Sequence, residues 1–383
     1  MFRPAPVPDR YALIWPLLRL LPAEAAHRLS IAALSAGLAN LLTDRPAGPD
    51  PPLLAQRLFG LDFPNPIGLA AGYDKEARVP DALLRLGFGF VEVGTVTPRP
   101  QRGNPKPRLF RLQEDGAVIN RLGFNSGGLD GVVARLARRR GRPGIVGLNL
   151  GSNRESSDAA ADYEEGIRRA AGLVHYLVIN VSSPNTPGLR ELQRRPALEE
   201  LLRRLRRARD ERAPAVPLLV KIAPDLTAGE REDIAEVALG SGIDGLVIAN
   251  TTLARPAGLK SRHAGEAGGL SGRPLFAPAT ALLADMYRLT AGRLPLIGVG
   301  GVADAADAYA KIRAGASLVQ LYTALVFAGP ALVGRIKREL ALLLQRDGYD
   351  TIAAAVGADA GGRPAGAATL RPPRAGARRD RRG

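Results

Sequence analysis

Between Tyr176 and Leu192 the chain reads YLVINVSSPNTPGLREL. An apolar, β-branched run ends on Asn180. Ser182, Ser183, Asn185 and Thr186 follow almost at once, in a loop carrying Pro184 and Pro187. Small hydrogen-bonding side chains delivered by a buried strand suit a pocket for a flat, polar ligand. Similar strand ends recur at AAGYDK (Ala70–Lys75), Thr95, Asn149, Lys221, Asn250-Thr251-Thr252, Gly300-Gly301 and Tyr322-Thr323. The chain has no cysteine, which removes disulfides, thiolate metal sites, iron–sulfur clusters and a cysteine nucleophile. None of its histidines, His27, His175 and His263, closes a strand, which argues against histidine metal sites and Ser-His-Asp triads. No metal is expected. Lys75 and Lys221 would form a Schiff base or supply positive charge. Asn, Ser, Thr, Lys and Gly without His or Cys point to a bound cofactor that carries the hard chemistry.

The elements that must position these residues can be read from periodicity. Strand patterns fall at Pro66–Ala70, Phe90–Val96, Ile145–Leu150, Tyr176–Val181, Pro217–Ala223, Gly245–Asn250, Pro295–Gly300 and Leu318–Leu325. Helical patterns separate most of them: Pro80–Leu86, Tyr163–Gly172, Ala197–Arg209, Ala228–Leu239, Pro278–Leu289 and Asp304–Ala314. Short apolar strands alternating with helices predict an α/β fold, a (β/α)₈ TIM barrel, with a doubly wound open sheet as the alternative. In a barrel the polar strand ends meet on one rim. The glycine-rich turns GVGGVADAADA (Gly298–Ala308) and GGLSGRPL (Gly268–Leu275), with Tyr322-Thr323, predict a phosphate cradle.

Outside the barrel, Tyr11–Leu21 and Ala23–Leu42 show helical spacing of leucines. Residues 1–43 are expected as an amphipathic helix pair, 44–52 as a Pro/Gly-rich linker, 53–345 as the barrel and 346–383 as a disordered basic tail. The pair either packs on the barrel or lies in a membrane interface, where Arg3, Arg10, Arg19 and Arg28 suit anionic head groups. No run is long and apolar enough to span a bilayer. The net charge of +16 is compatible with nucleic acid. Much of it sits in the tail and in LLRRLRRARD (Leu201–Asp210), without the aromatics that stack bases, so no nucleic-acid partner is expected.

The strings LAAGYDK, FVEVGTVTPRPQRGNPKPRLFRL, AVINRLGFNSGG, INVSSPNTPGLREL, VKIAPDL, ANTT, GGLSGRPL, LIGVGGV and VQLYTAL occur in one order from about Pro22 to Leu340. In them the chain resembles the class 2, quinone-dependent dihydroorotate dehydrogenases. The resemblance implies an FMN-binding barrel that oxidises dihydroorotate to orotate in pyrimidine (UMP) biosynthesis and passes the electrons to a membrane quinone. It implies Ser183 as the catalytic base; because a serine hydroxyl is a poor base, Thr186 and an ordered water are expected as partners in handing the proton on. It implies FMN contacts from Ala71, Gly72, Tyr73, Asp74, Lys75, Thr95, Asn149, Asn180, Lys221, Ala249, Gly272, Gly301, Tyr322 and Thr323. Substrate would be held by Lys75, Asn120, Arg121, Leu122, Gly123, Phe124, Asn180, Asn185, Asn250 and Thr251. His27, Arg111 and Tyr322 would lie along the quinone path; from residue type alone, His27 could instead cap or pack a helix and Arg111 form a surface pair. Ala249 stands where some relatives carry Thr or Ser, one hydrogen bond fewer beside the flavin. A monomer on the cytoplasmic face of a bacterial inner membrane is expected. The alternative is another FMN-barrel oxidoreductase, such as a flavin-dependent tRNA uridine reductase.

Overall fold

The protein was analysed as a computed structural model, which describes residues 10–38 and 49–361. In chain order the strands are β1 (Gln56–Leu58), β2 (Leu61–Phe63), β3 (Ile67–Leu69), β4 (Phe90–Val96), β5 (Leu109–Leu112), β6 (Ala117–Asn120), β7 (Ile145–Leu150), β8 (Tyr176–Asn180), β9 (Leu218–Ile222), β10 (Gly245–Ile248), β11 (Gly269–Gly272), β12 (Leu296–Val299) and β13 (Leu318–Leu321). The α-helices are α1 (Arg10–Leu18), α2 (Ala23–Ser35), α3 (Pro80–Arg85), α4 (Leu129–Arg139), α5 (Ala159–Ala170), α6 (Arg195–Arg212), α7 (Ala228–Ser241), α8 (Phe276–Leu289), α9 (Ala305–Arg313), α10 (Thr323–Ala328) and α11 (Leu332–Arg346).

Strands β3, β4, β7, β8, β9, β10, β12 and β13 close into a barrel with every neighbour parallel. These are the eight strands expected from the sequence. Parallel strands are covered on both faces, so they read as unbroken apolar runs rather than alternations. The interior is filled by Phe90, Tyr176, Val178, Leu219, Val247, Ile297 and Leu318. Two glycines make room for the rings. A Cβ on Gly68 would lie 2.2 Å from the Phe90 ring, and one on Gly147 2.1 Å from that of Tyr176. The β1–β2 hairpin closes one end with Phe63, whose ring meets Phe90 edge-on at 5.4 Å. The other end carries the polar strand termini. The register sets Asn180 opposite Lys221 and Gly94 opposite Asn149.

The outer helices start on side chains suited to the task. Asp158 caps α5, Asp304 caps α9, and Thr227 with Glu230 forms a capping box on α7. Over the polar end lies a second, antiparallel sheet in the order β11-β6-β5. The sequence reading contains no such sheet, and it treats GGLSG as a turn. The pairing of Gly269–Gly272 with Asn120–Ala117 makes that stretch a strand. Helices α1 and α2 lie beside this sheet. The first keeps Pro16 inside it and the second ends at Ser35, short of the expected Leu42. Residues 39–42 of that expected helix and most of the linker fall outside the described residues.

The barrel boundary at 345 needs correction. Beyond α11, Ile352 and Ala355 are fully buried, Gly357 N–H donates to Ile312 O at 3.0 Å, and Asp359 N–H donates to Arg313 O at 2.9 Å. Arg313 and Asp359 also form an ion pair. A short apolar set, Ile352, Ala355 and Ala360, therefore folds 346–361 back onto α9. Residues 362–383 of the expected disordered tail lie outside the described residues.

Candidate active site

A cavity of about 600 Å³ opens between α1 and α2 and runs under the β5–β6 hairpin to the barrel's polar rim. Its two ends differ in chemistry. The outer end is apolar, walled by Ile14, Trp15, Leu18, Ala26, Leu29, Ala33, Phe327 and others. The inner end gathers Lys75, Thr95, Asn120, Asn180, Ser183, Asn185, Lys221, Asn250 and Thr251. Of the residues singled out in the sequence, it also brings in Ala71, Gly72, Tyr73, Leu122, Gly123, Phe124, Ala249, Gly272, Gly301, Tyr322 and Thr323, with His27 and Arg111 at the outer end.

The inner amides hold one another. Asn180 Nδ2 donates to Thr95 Oγ1 at 3.0 Å and to Asn149 Oδ1 at 3.1 Å. Its Oδ1 accepts from Ser182 Oγ at 3.0 Å and from Asn250 Nδ2 at 3.4 Å. Asn250 Nδ2 also donates to Ser182 Oγ at 3.0 Å. Asn185 Nδ2 donates to Asn120 Oδ1 at 3.2 Å. Ser183 is 5% exposed, and its Oγ accepts from Asn185 N–H at 3.3 Å. Among the described residues no carboxylate or imidazole hydrogen-bonds this hydroxyl. Thr186 is buried but makes no hydrogen bond to Ser183, so the expected Thr186 relay has no contact behind it among the described hydrogen bonds. Phe124, held at φ 50°, turns its ring against Gly151, where a Cβ would come within 2.9 Å of it.

Two lysines supply the positive charge. Lys75 Nζ donates to Asn125 Oδ1 at 2.6 Å, and burial, with Arg108 adding repulsion, pushes its pKa down to about 8. Lys221 makes no hydrogen bond among the described residues. Burial also lowers its pKa, while the Glu92 carboxylate pulls the other way. Glu92 is fully buried within the barrel, bonded by Asn149 Nδ2 and Gln320 Nε2, each at 2.7 Å.

Three expected contacts do not reach the cavity. The Asp74 carboxylate points back to accept from Arg78 N–H and Val79 N–H, both at 2.8 Å, and so starts α3. Asn149 lies beneath the cavity wall and serves it through Thr95 and Asn180. Arg121 turns outward to Glu266 at 2.7 Å and over the Phe110 ring, leaving the cavity to Asn120 and the Leu122–Phe124 backbone. Sequence reasoning in turn missed Ser271, whose hydroxyl meets Thr323 Oγ1 at 2.8 Å, and Arg273 on the cavity wall. Both lie in the quoted GGLSGRPL. Neither looks special before the strand pairing is known.

At the outer end His27 meets Tyr73 edge-on at 5.2 Å, and Tyr73 meets Tyr322 likewise at 5.5 Å. The three rings form a column from α2 to the barrel. Tyr73 OH donates to Ser30 Oγ at 3.0 Å. His27 has its pKa lowered to about 4 by burial, reinforced by the charge of Lys75, so it is neutral near pH 7. Arg111, on β5, donates to Leu18 O at 3.1 Å and Arg19 O at 3.0 Å, and also to Leu21 O. These carbonyls lie at the end of α1 and in the turn that follows it, and the guanidinium gathers all three. Arg111 is thus a tether as well as a lining residue.

Residues 53–344 match the family model described as dihydroorotate dehydrogenase. The chain belongs to the dihydroorotate dehydrogenase family. Among curated relatives, the "Dihydroorotate dehydrogenase (quinone)" of Rhodospirillum rubrum is 60% identical over 353 residues, 92% of this chain and 95% of that one. The protein of the same name from Xanthobacter autotrophicus is 57% identical over 357 residues, 92% and 99% of the two chains. A crystal structure of Eimeria tenella DHODH in complex with ferulenol superposes with a TM-score of 0.82 at 43% identity, covering 88% of this chain and 95% of that one.

The cavity's donors fit the flavin nucleotide of this family. Gly272 and Gly301 have φ 92° and 79°, and their missing Cβ atoms would lie 2.3 Å from Gly116 O and 2.4 Å from Phe276 Cα. Only glycine fits there, because a side chain at either position would strike neighbouring protein atoms and displace the turns that line the cavity. Next to them stand Ser271, Arg273 and Thr323, a suitable set for an anion, and Lys221 offers an unbonded ammonium to the ring system.

Proposed function

We propose that this chain oxidises dihydroorotate to orotate in pyrimidine biosynthesis, holding FMN at the barrel rim and delivering the electrons to a membrane quinone. The observation that carries this reading is the single cavity that joins a polar, serine-bearing end to an apolar channel between two amphipathic helices. Bound FMN supplies the two-electron acceptor that a quinone can then discharge. The chain's own residues do the rest.

Gly272, Gly301, Arg273 and Thr323 would hold the phosphate. Lys221 would place a positive charge beside the ring system, where it can offset negative charge. Asn120, Asn185 and Asn250 pair with the substrate's amide edges, and Lys75 attracts its carboxylate. Ser183 Oγ takes the substrate proton as its own hydroxyl proton passes to a water molecule, and the Asn185 N–H aimed at that oxygen favours the deprotonated hydroxyl that does so. Phe124 covers the loop and keeps water from the reacting atoms.

The same reading places α1 and α2 on an anionic membrane surface at the cytoplasmic face of a bacterial inner membrane, as a monomer that binds no nucleic acid. Leu13 and Leu17 on α1, and Leu20 in the turn after it, support it: they are 75%, 69% and 76% exposed, with Arg10 and Arg19 nearby in the chain. No described helix is long and apolar enough to cross a membrane. Quinone then passes between the helices along Trp15, Arg111 and His27 to Tyr322.

The test is optical. The purified protein should be yellow, bleach anaerobically when dihydroorotate is added, and regain colour with a soluble ubiquinone analogue. Flavin that stays oxidised in the presence of dihydroorotate overturns the reading.

A further inference from the structure

We infer that Arg190 is a positioning residue that clamps the Ser183 loop to the Asn250–Thr252 loop and thereby governs removal of the substrate proton, leaving electron release to quinone untouched. The inference rests on the proposed function. Arg190 lies in the short 3-10 turn Leu189–Gln193, set off by Gly188 at φ 73°. Its three guanidinium nitrogens reach three different places. Nε donates to Ser182 O at 3.1 Å, Nη2 to Thr251 O at 3.2 Å, and Nη1 to Asp225 Oδ2 at 2.9 Å.

Asp225 completes the clamp. It accepts from Thr252 Oγ1 and, at 3.0 Å, from Leu253 N–H. One guanidinium–carboxylate pair therefore fixes the loops after β8 and β10 relative to each other. The two carbonyls it holds sit one residue before Ser183 and one after Asn250.

Among the described residues no acid or base hydrogen-bonds the Ser183 hydroxyl, and the bond its Oγ accepts comes from within its own loop, from Asn185 N–H. A weak base on a loop removes a proton only when the loop is held to a fraction of an ångström, and the planar fork of arginine is the side chain suited to hold two carbonyls and a carboxylate at once. Nothing in the clamp touches α1, α2 or the apolar end of the cavity.

The test uses the full-length holoprotein as wild type, Arg190→Gln and Arg190→Lys. In Arg190→Gln, anaerobic bleaching by dihydroorotate should slow on the order of 100-fold, as for a misplacement of about 1 Å. Arg190→Lys, which keeps the charge but loses the fork, should fall between it and wild type. Flavin content and the rate of reoxidation by a soluble quinone should stay within about twofold of wild type. Amide exchange in peptides covering 182–193 and 250–256 should quicken in both variants.

Bleaching at the wild-type rate, or equal slowing of bleaching and reoxidation, overturns the clamp. So does unchanged exchange in those two segments. If Arg190→Gln fails to fold, Arg190→Lys decides by the same readings. A wild-type protein that dihydroorotate does not bleach overturns the proposed function instead, and the exchange measurement then decides the clamp by itself.

Discussion

The two ends of the cavity are held in opposite ways. At the barrel rim nearly every polar atom answers another: Asn180 alone joins Thr95, Asn149, Ser182 and Asn250. The helix pair hangs on a few polar tethers: Arg111 to the end of α1, Glu24 to Arg108 at 2.6 Å and to Lys106 at 3.2 Å, and Tyr11 OH to Val326 O at 2.6 Å. Many of its leucines face outward. The rim is pre-organised for one geometry, while the pair keeps apolar surface exposed. A rigid polar site and an open apolar surface are thus assigned to different parts of one chain.

The largest expected effect separates the two. Ser183→Ala should slow bleaching by dihydroorotate about 10²–10⁴-fold, the usual contribution of a positioned proton acceptor, with flavin content and vesicle binding preserved. Stopped-flow absorbance reads the rate. Near-normal bleaching would remove Ser183 from its role. Next comes Gly301→Ala. Its new Cβ would lie 2.4 Å from Phe276 Cα at a φ that disfavours side chains, so bound FMN should fall about tenfold or more while the barrel still folds. Flavin-to-protein absorbance ratios measure this.

The pair should answer to different changes. Replacing Leu13, Leu17 and Leu20 by serine should weaken co-sedimentation with anionic vesicles by about tenfold or more, at unchanged bleaching by dihydroorotate. Equal sedimentation of the variant would detach these leucines from the membrane. The smallest effect is thermodynamic. His27 titrates at about 4 in the folded chain against an ordinary 6.5. The unfolded state therefore takes up the proton first, and stability falls as pH drops from 6.5 to 4, by about 3 kcal/mol at most. His27→Gln should flatten that part of the Tm–pH curve, and a variant whose curve parallels wild type through this window would refute the assignment.

Much of this was legible before any coordinates. The barrel strands are continuous Val/Ile/Leu runs because they are covered on both sides, and their polar last residues mark the rim. Most quoted site residues line one cavity for the same reason. The β5–β6–β11 sheet escaped, although Asp115-Gly116 between Leu109–Leu112 and Ala117–Asn120 is a hairpin signal that could have found it. Asp74 and Arg121 could not be judged from their motifs. A motif fixes the backbone's path, whereas side-chain direction depends on what packs beside it: α3's free amides for one and Glu266 for the other. Arg190 was unreadable for a similar reason. One arginine in a polar loop looks like solvated surface until a carbonyl of its own loop and one of the loop after β10 converge on it.

The β5–β6 hairpin joins these two halves. Arg111 holds the end of α1 from β5, and Asn120 stands among the site's amides at the end of β6, with Leu109 and Asn120 paired in register. The helices that expose Leu13 and Leu17 and the amides of the site therefore share one stiff ribbon. Under the proposed function, a bilayer that seats the helices would set the attitude of the whole molecule, so that one end of a single channel opens to lipid while the chemistry proceeds at the other.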